Sequence, residues 1–210
     1  MTLQRCLRSL LMWLPAAFAL ASALAAPSSA LACAARPVPL DSLSGKLDLP
    51  KASWLTQAWS CHDAQGEELV IAAHAPAQKN GSGLGEELLF QKYRQTPSGW
   101  KKDWQARDFL GTGLTSRPNT SSELILIGDF DGDGLADIFI AYTLPGQPTP
   151  PDEGKLLVFH KDQKYALRGA IARSRNDFGS RKITAHFLTL PQPLQDQALK
   201  LWDKLNTPRP

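Results

Sequence analysis

The sequence predicts a mainly β fold: two β-meander, propeller-blade-like units forming a sandwich or partial propeller, with a C-terminal α-helix. Three observations predict it. Eight short apolar runs, each about the length of a strand, are bounded by turn residues. Fifteen glycines and sixteen prolines in 210 residues imply many chain reversals. Only the tail carries apolar residues at helical spacing. A composition 43% hydrophobic and 20% charged is that of an ordinary globular chain. It excludes a disordered tail, a collagen and a disulfide-dense miniprotein. The net charge of +3 is too small to argue for a nucleic-acid partner.

Residues 1–32 read as a signal peptide. Arg5 and Arg8 precede an apolar run from Leu10 to Ala26, and small residues at Ala23 and Ala25, or Ala30 and Ala32, offer cleavage after residue 25 or 32. The run contains Pro15 and is short for a membrane span, so no transmembrane span is expected in the mature chain. The expected location is therefore periplasmic or secreted. Cleavage removes Cys6 and leaves Cys33 and Cys61, which in an oxidising compartment pair as a disulfide. The rival reading makes Cys33 a lipidated N-terminus. Against it, Leu31 stands one place off the position such a signal wants.

The remainder, 33–210, reads as one β-rich domain. Strands are expected at Trp54–Trp59, Leu69–His74, Glu87–Tyr93, Trp100–Phe109, Leu124–Ile127, Ile138–Leu144, Leu156–His160 and Tyr165–Ile171, with one more possible at Ile183–Leu190. Asn80-Gly81-Ser82-Gly83, Pro97-Ser98-Gly99 and Pro145-Gly146-Gln147-Pro148 supply turn chemistry between them. After Pro191 and Pro193, the apolar residues Leu194, Ala198, Leu201, Trp202 and Leu205 form one stripe of a helix over about 193–205. Pro208 lies beyond its end. Such a helix needs a sheet face to cover.

A shift of 68 residues lays Val70-Ile71-Ala72-Ala73 on Ile138-Phe139-Ile140-Ala141, and Leu88-Leu89-Phe90 on Leu156-Leu157-Val158. The matching order of strand, loop and strand favours an internal repeat of about 54–109 and 122–171.

Residues 128 to 138 carry the chemistry: Gly128-Asp129-Phe130-Asp131-Gly132-Asp133-Gly134-Leu135-Ala136-Asp137-Ile138. Asp129, Asp131, Asp133 and Asp137 stand at positions 1, 3, 5 and 9 of a tight loop, and Gly134 permits its sharp turn. Hard oxygen ligands at these spacings suit Ca²⁺, with the Leu135 carbonyl at position 7. Four like charges in nine residues would otherwise repel. Ile140 stands where an EF-hand has glutamate, and strands flank the loop, so it is a metal loop in a β-hairpin.

This loop resembles the calcium loop of FG-GAP, or VCBS-type, repeats. The resemblance implies a blade of an integrin-type β-propeller. It also implies Asp129, Asp131, Asp133 and Asp137 as side-chain ligands and Leu135 as a backbone ligand. In the other unit, Cys61-His62-Asp63-Ala64-Gln65-Gly66 occupies the loop and keeps only Asp63 and Gly66 of the pattern. No second metal is expected there, and Asp63→Ala is expected to leave a calcium response intact. The single loop, followed by Lys164-Tyr165-Ala166-Leu167-Arg168-Gly169, is also similar to small exported bacterial proteins linked with surface polysaccharide.

Neither a G-x-S-x-G elbow nor an H-E-x-x-H motif occurs, and Gly81-Ser82-Gly83-Leu84-Gly85 lacks the ending of a phosphate loop. Thus no catalytic residue and no organic cofactor is expected. His62, His74, His160 and His186 are scattered, and a structural or surface role is expected of each. His160 and Lys161 sit at a strand end that could come near the loop. Trp54, Trp59, Trp100 and Trp104 are expected in the core, with one or two available as a sugar-stacking platform. The functional expectation is an exported calcium-binding β protein, a non-enzymatic binding or structural module of the cell envelope. Its expected partner is a glycan or an envelope protein. The alternative is an enzyme or accessory factor of surface polysaccharide biosynthesis.

Overall fold

The computed structural model describes residues 33–76, 86–109, 120–144, 152–172, 174 and 176–207. The signal segment, the loops at 80–83 and 145–148 and Pro208 lie outside the described residues.

Two antiparallel sheets form the body. The first has five strands in the order β1-β2-β3-β4-β5: β1 Arg36–Pro37, β2 Trp54–Asp63, β3 Gly66–Pro76, β4 Glu86–Thr96 and β5 Gly99–Phe109. The second has four in the order β6-β7-β8-β9: β6 Ile125–Gly128, β7 Asp137–Leu144, β8 Glu153–His160 and β9 Gln163–Ala170. Each sheet is a meander of sequential neighbours, and neither closes into a barrel. One helix, α1 Gln192–Leu205, ends the fold.

Alternation along the strands builds the layers. Val70, Ala72, Leu88, Phe90 and Ala106 of the first sheet meet Ile125, Ile138, Ile140, Tyr142, Leu157 and Phe159 of the second in one buried cluster. The opposite faces are covered too. Leu69, Ile71, Ala73, Leu89 and Tyr93 pack under the segment carrying Val38, Leu43, Leu47 and Leu49. Phe139, Ala141, Leu156, Val158 and Leu167 pack under Leu194, Ala198, Leu201, Trp202 and Leu205 of α1. Strands buried on both faces show no polar alternation, which is why β3 and β7 read as unbroken apolar runs. Gly154 in β8 lets α1 settle: a Cβ there would stand 2.4 Å from Ile171 and 3.1 Å from Trp202. No helix among the described residues is long and apolar enough to cross a membrane.

A disulfide and a buried ion pair tie the fold. The structure brings Cys33 and Cys61 together as a disulfide pair 28 residues apart, a closure worth about 3–4 kcal/mol in the loop-entropy picture. Between the sheets, Lys155 Nζ contacts both carboxylate oxygens of Asp108 at 2.8 and 2.9 Å. The Tyr142 hydroxyl donates to the same carboxylate. Burial and then the Asp108 charge push the Tyr142 phenol far above its ordinary range, so it stays a donor.

Two expectations need correction. Ile183–Leu190 is not a strand. Phe187–Thr189 forms a 3-10 turn, and Lys182 makes only an isolated bridge to Arg168. Phe187, Leu190 and Leu194 are buried while Leu188 is 59% exposed, so burial there recurs every three or four residues, not every two. The shift of 68 also fails for one strand pair. It preserves faces between β3 and β7, since Val70, Ala72, Ile138 and Ile140 all face the other sheet. In β4 and β8, however, Leu88 and Phe90 face inward, whereas Leu156 and Val158 face the helix. The pairs Ala72↔Phe90 and Ile140↔Leu157 place the true correspondence one residue away, and a slip of one exchanges faces. The order of strands is nevertheless the same in both sheets.

Candidate metal centre

The turn between β6 and β7 is closed at its base by the pair Gly128↔Asp137. Gly132 and Gly134 adopt φ of +79° and +85°, a left-handed backbone that side chains with a Cβ resist. These two reversals fold the chain around its own carboxylates. Asp129 accepts from Gly132 N (2.7 Å) and Asp133 N (3.1 Å) through Oδ1, and from Gly134 N (2.9 Å) through Oδ2. Asp133 Oδ1 accepts from Leu135 N at 2.9 Å. Asp137 Oδ2 accepts from Phe130 N at 2.9 Å. The loop thus satisfies much of its own backbone, and its remaining carboxylate oxygens converge.

Two overlapping groups result. Asp129, Asp131 and Asp137 each offer a ligand atom, and these atoms lie within 4.8 Å of one another. So do Asp131, Asp133 and His160. Asp131 belongs to both. Its side chain is only 10% exposed, and its Oδ1 is buried with no hydrogen-bond partner among the described residues. An unsatisfied buried acceptor costs about 1–3 kcal/mol, more when charged. A dication at this point would satisfy it, so the residues present fit a metal. Leu135 lies in the same loop, its N–H held by Asp133.

Two neighbours were not assigned to the loop by their sequence positions. His160, at the end of β8, is buried, with Nδ1 2.8 Å from Asp137 Oδ1 and Nε2 3.9 Å from Asp131 Oδ2. His160, of which a structural or surface role was expected, is thus a buried residue among the carboxylates, hydrogen-bonded to Asp137. Lys161 Nζ lies 2.8 Å from Asp133 Oδ2. Lys161 and Asp162 form the two-residue β8–β9 turn, both at positive φ (47° and 61°), a geometry that usually recruits asparagine and glycine. That costly turn sets the ammonium over the loop. The β-hairpin pairing His160↔Gln163 is the local signal that brings both residues to this end of the sheet.

The turn of the other sheet is the third support. Ala64 N donates to Gly134 O at 2.9 Å. Asp63 accepts from Ala136 N through Oδ2 (3.1 Å) and from its own turn at Gln65 N through Oδ1 (2.7 Å). Asp63 is buried. The degenerate loop is therefore a buttress of the intact one. Asp63 thus touches the loop through Ala136, the contact that bears on whether a calcium response is independent of it.

Charge follows from burial and partners. Burial pushes the Asp137 carboxyl above its ordinary value, against the pull of the Phe130 N–H and His160. At Asp133 burial is the largest single effect and opposes the charged form, but the Lys161 hydrogen bond, the Leu135 N–H and the Lys161 charge together outweigh it and hold the carboxyl low. Beside the loop, Asp63, Gln65, Lys92, Trp104, Leu135 and Lys161 line a small pocket. Trp104 is stacked on Phe159 with ring centroids 3.7 Å apart, so its face is spent between the sheets. Of the other tryptophans, Trp54 stacks on His74 and is 40% exposed, while Trp59 and Trp100 pack against core clusters.

No protein-family model, curated protein or solved structure matches the sequence.

Proposed function

We propose that this chain is an exported bacterial β module whose loop from Gly128 to Asp137 binds Ca²⁺. It serves as a non-enzymatic binding or structural part of the cell envelope. The observation that carries the reading is Asp131, whose buried Oδ1 has no partner while the carboxylates of Asp129 and Asp137 stand beside it. Asp129, Asp131, Asp133 and Asp137, with the Leu135 carbonyl, make an all-oxygen set, the chemistry Ca²⁺ prefers. The likeness of the loop to FG-GAP and VCBS-type repeats supports the same ion. The ion joins two strands of one hairpin, so its effect is on stability and on the shape of this end of the sandwich.

Export is supported by the charged and apolar leader and by the paired cysteines. Intact mass from an extracytoplasmic fraction should lack the first 25 to 32 residues; a full-length mass there would contradict export. The partner, a glycan or an envelope protein, is sought by a binding screen run with calcium and again after chelation. Calcium-dependent retention of one class supports the module. Metal-dependent turnover of an envelope polysaccharide, with melting unaffected by metal, would replace it with the enzyme reading.

A further inference from the structure

The all-oxygen set leaves one buried group beside the loop unused. His160 is 6% exposed, and a carboxylate only accepts, so Nδ1 donates its proton to Asp137 Oδ1 at 2.8 Å. In the form that takes a metal, the other nitrogen, Nε2, presents a lone pair. It points toward Asp131, 3.9 Å from Oδ2, on the carboxylate whose Oδ1 is buried and unpartnered. A histidine held through one nitrogen by a carboxylate, with the other nitrogen facing anionic oxygens, is how proteins orient a metal-ligating imidazole. Nε2, an Asp131 oxygen and an Asp133 oxygen lie within 4.8 Å of one another. Tetrahedral zinc, with bonds near 2.1 Å, separates its ligands by about 3.4 Å. The 3.9 Å gap between Nε2 and Oδ2 therefore closes around such an ion with movements of a few tenths of an ångström.

We propose that His160, Asp131 and Asp133 form a second, nitrogen-containing ligand set that binds a borderline dication of the zinc class. The proposal rests on the reading that this loop holds a dication, and it names which further ion and which atoms. Calcium has little use for imidazole, whereas zinc, cobalt and nickel favour it. Because Asp131 and Asp133 belong to both sets, the two ions compete. Lys161, whose ammonium sits on Asp133 Oδ2, occupies part of this set as a tethered cation. Its side chain is 55% exposed, so it can swing into water when a metal arrives.

The test uses the untagged mature protein, titrated with Zn²⁺ while the histidine ring nitrogens are followed by ¹⁵N NMR. Zn²⁺ affinity is measured in parallel for wild type, His160→Gln and Lys161→Met. Expected are a large Zn²⁺-induced shift of one His160 ring nitrogen and at least a tenfold loss of Zn²⁺ affinity in His160→Gln. A gain is expected in Lys161→Met. His160→Gln also removes the donor on Asp137 Oδ1, a ligand of the all-oxygen set, so the ring-nitrogen shift, and not the calcium increment of this variant, separates the two sets. The ring-nitrogen readout needs no variant, so it decides the matter even if His160→Gln folds poorly. No shift at His160 on saturation with Zn²⁺, or no Zn²⁺ binding, overturns the proposal and leaves the calcium reading standing. A His160 shift with zinc in a protein indifferent to calcium upholds it and overturns the calcium reading instead.

Discussion

Asp63→Ala removes both acceptors by which the β2–β3 turn holds itself and the acidic loop. The Ala136 N–H, which donates to Oδ2 at 3.1 Å in a buried setting, loses its partner. Leaving such a donor unsatisfied costs about 1–3 kcal/mol. The Gln65 N–H, 2.7 Å from Oδ1, is only partly buried and regains water, adding about 0.5–1 kcal/mol. One term opposes these. Burial holds Glu68 above the usual carboxylate range, and the Asp63 charge adds to that after the opposing pull of Lys92. Removing Asp63 relieves this small repulsion. The net loss is about 2 kcal/mol, or about 4–8 °C in melting temperature for a domain of this size. Thermal melts and urea titrations in excess chelator measure it without the metal. Asp63→Asn, which keeps one acceptor oxygen, should lose about half as much. The calcium increment should also shrink in Asp63→Ala, because Ala136 is next to Asp137. A variant that melts within about 1 °C of wild type, with its calcium increment intact, would refute the buttress.

Other expectations follow from the same geometry. Trp202→Ala empties the centre of the α1 contact, where Trp202 is 2% exposed, and should cost about 3–5 kcal/mol by urea titration. Lys155→Met strips the cation from Asp108, whose side chain is 19% exposed; a loss of about 3 kcal/mol is expected, and Asp108→Asn in the same background should recover part of it. In metal-free protein the raised Asp137 carboxyl favours folding when protonated; that contribution is full below its ordinary 3.8 and is lost as pH rises through the raised value. Calcium needs the carboxylate, so the calcium increment in melting should fall as pH drops and the raised Asp137 carboxyl takes up its proton.

What was legible in the sequence was local. The stripe Leu194, Ala198, Leu201, Trp202 and Leu205 defines a helix by its own spacing, and α1 runs Gln192–Leu205. The candidate metal loop is contiguous, with its aspartates and glycines fixed by short-range turns. Strand centres were legible, while their ends were not, because β2 and β3 extend into the turn through pairs such as His62↔Glu67 that carry no apolar signal. Arg36–Pro37 gave no signal because a two-residue strand has no periodicity. Ile183–Leu190 misled because an apolar run of that length fits a strand or a succession of tight turns, and packing at Phe187 and Leu190 decides. His160, Lys161 and Asp63 could not be assigned because their partners stand 23, 28 and 73 residues away. Only the pairing of β8 with β9 and the packing of the two sheets bring them to the loop.

The central claim is that a metal satisfies the buried, unpartnered carboxylate of Asp131. It is tested most directly by melting wild type and Asp131→Ala, each in about 10 mM calcium and in excess chelator. With the affinities of about 10⁻⁴–10⁻³ M usual for extracellular modules, that calcium should add about 1.4–2.7 kcal/mol to wild type, or about 3–10 °C. Asp131→Ala should show no increment. Equal melting of wild type with and without calcium, or a full increment in Asp131→Ala, would contradict the account.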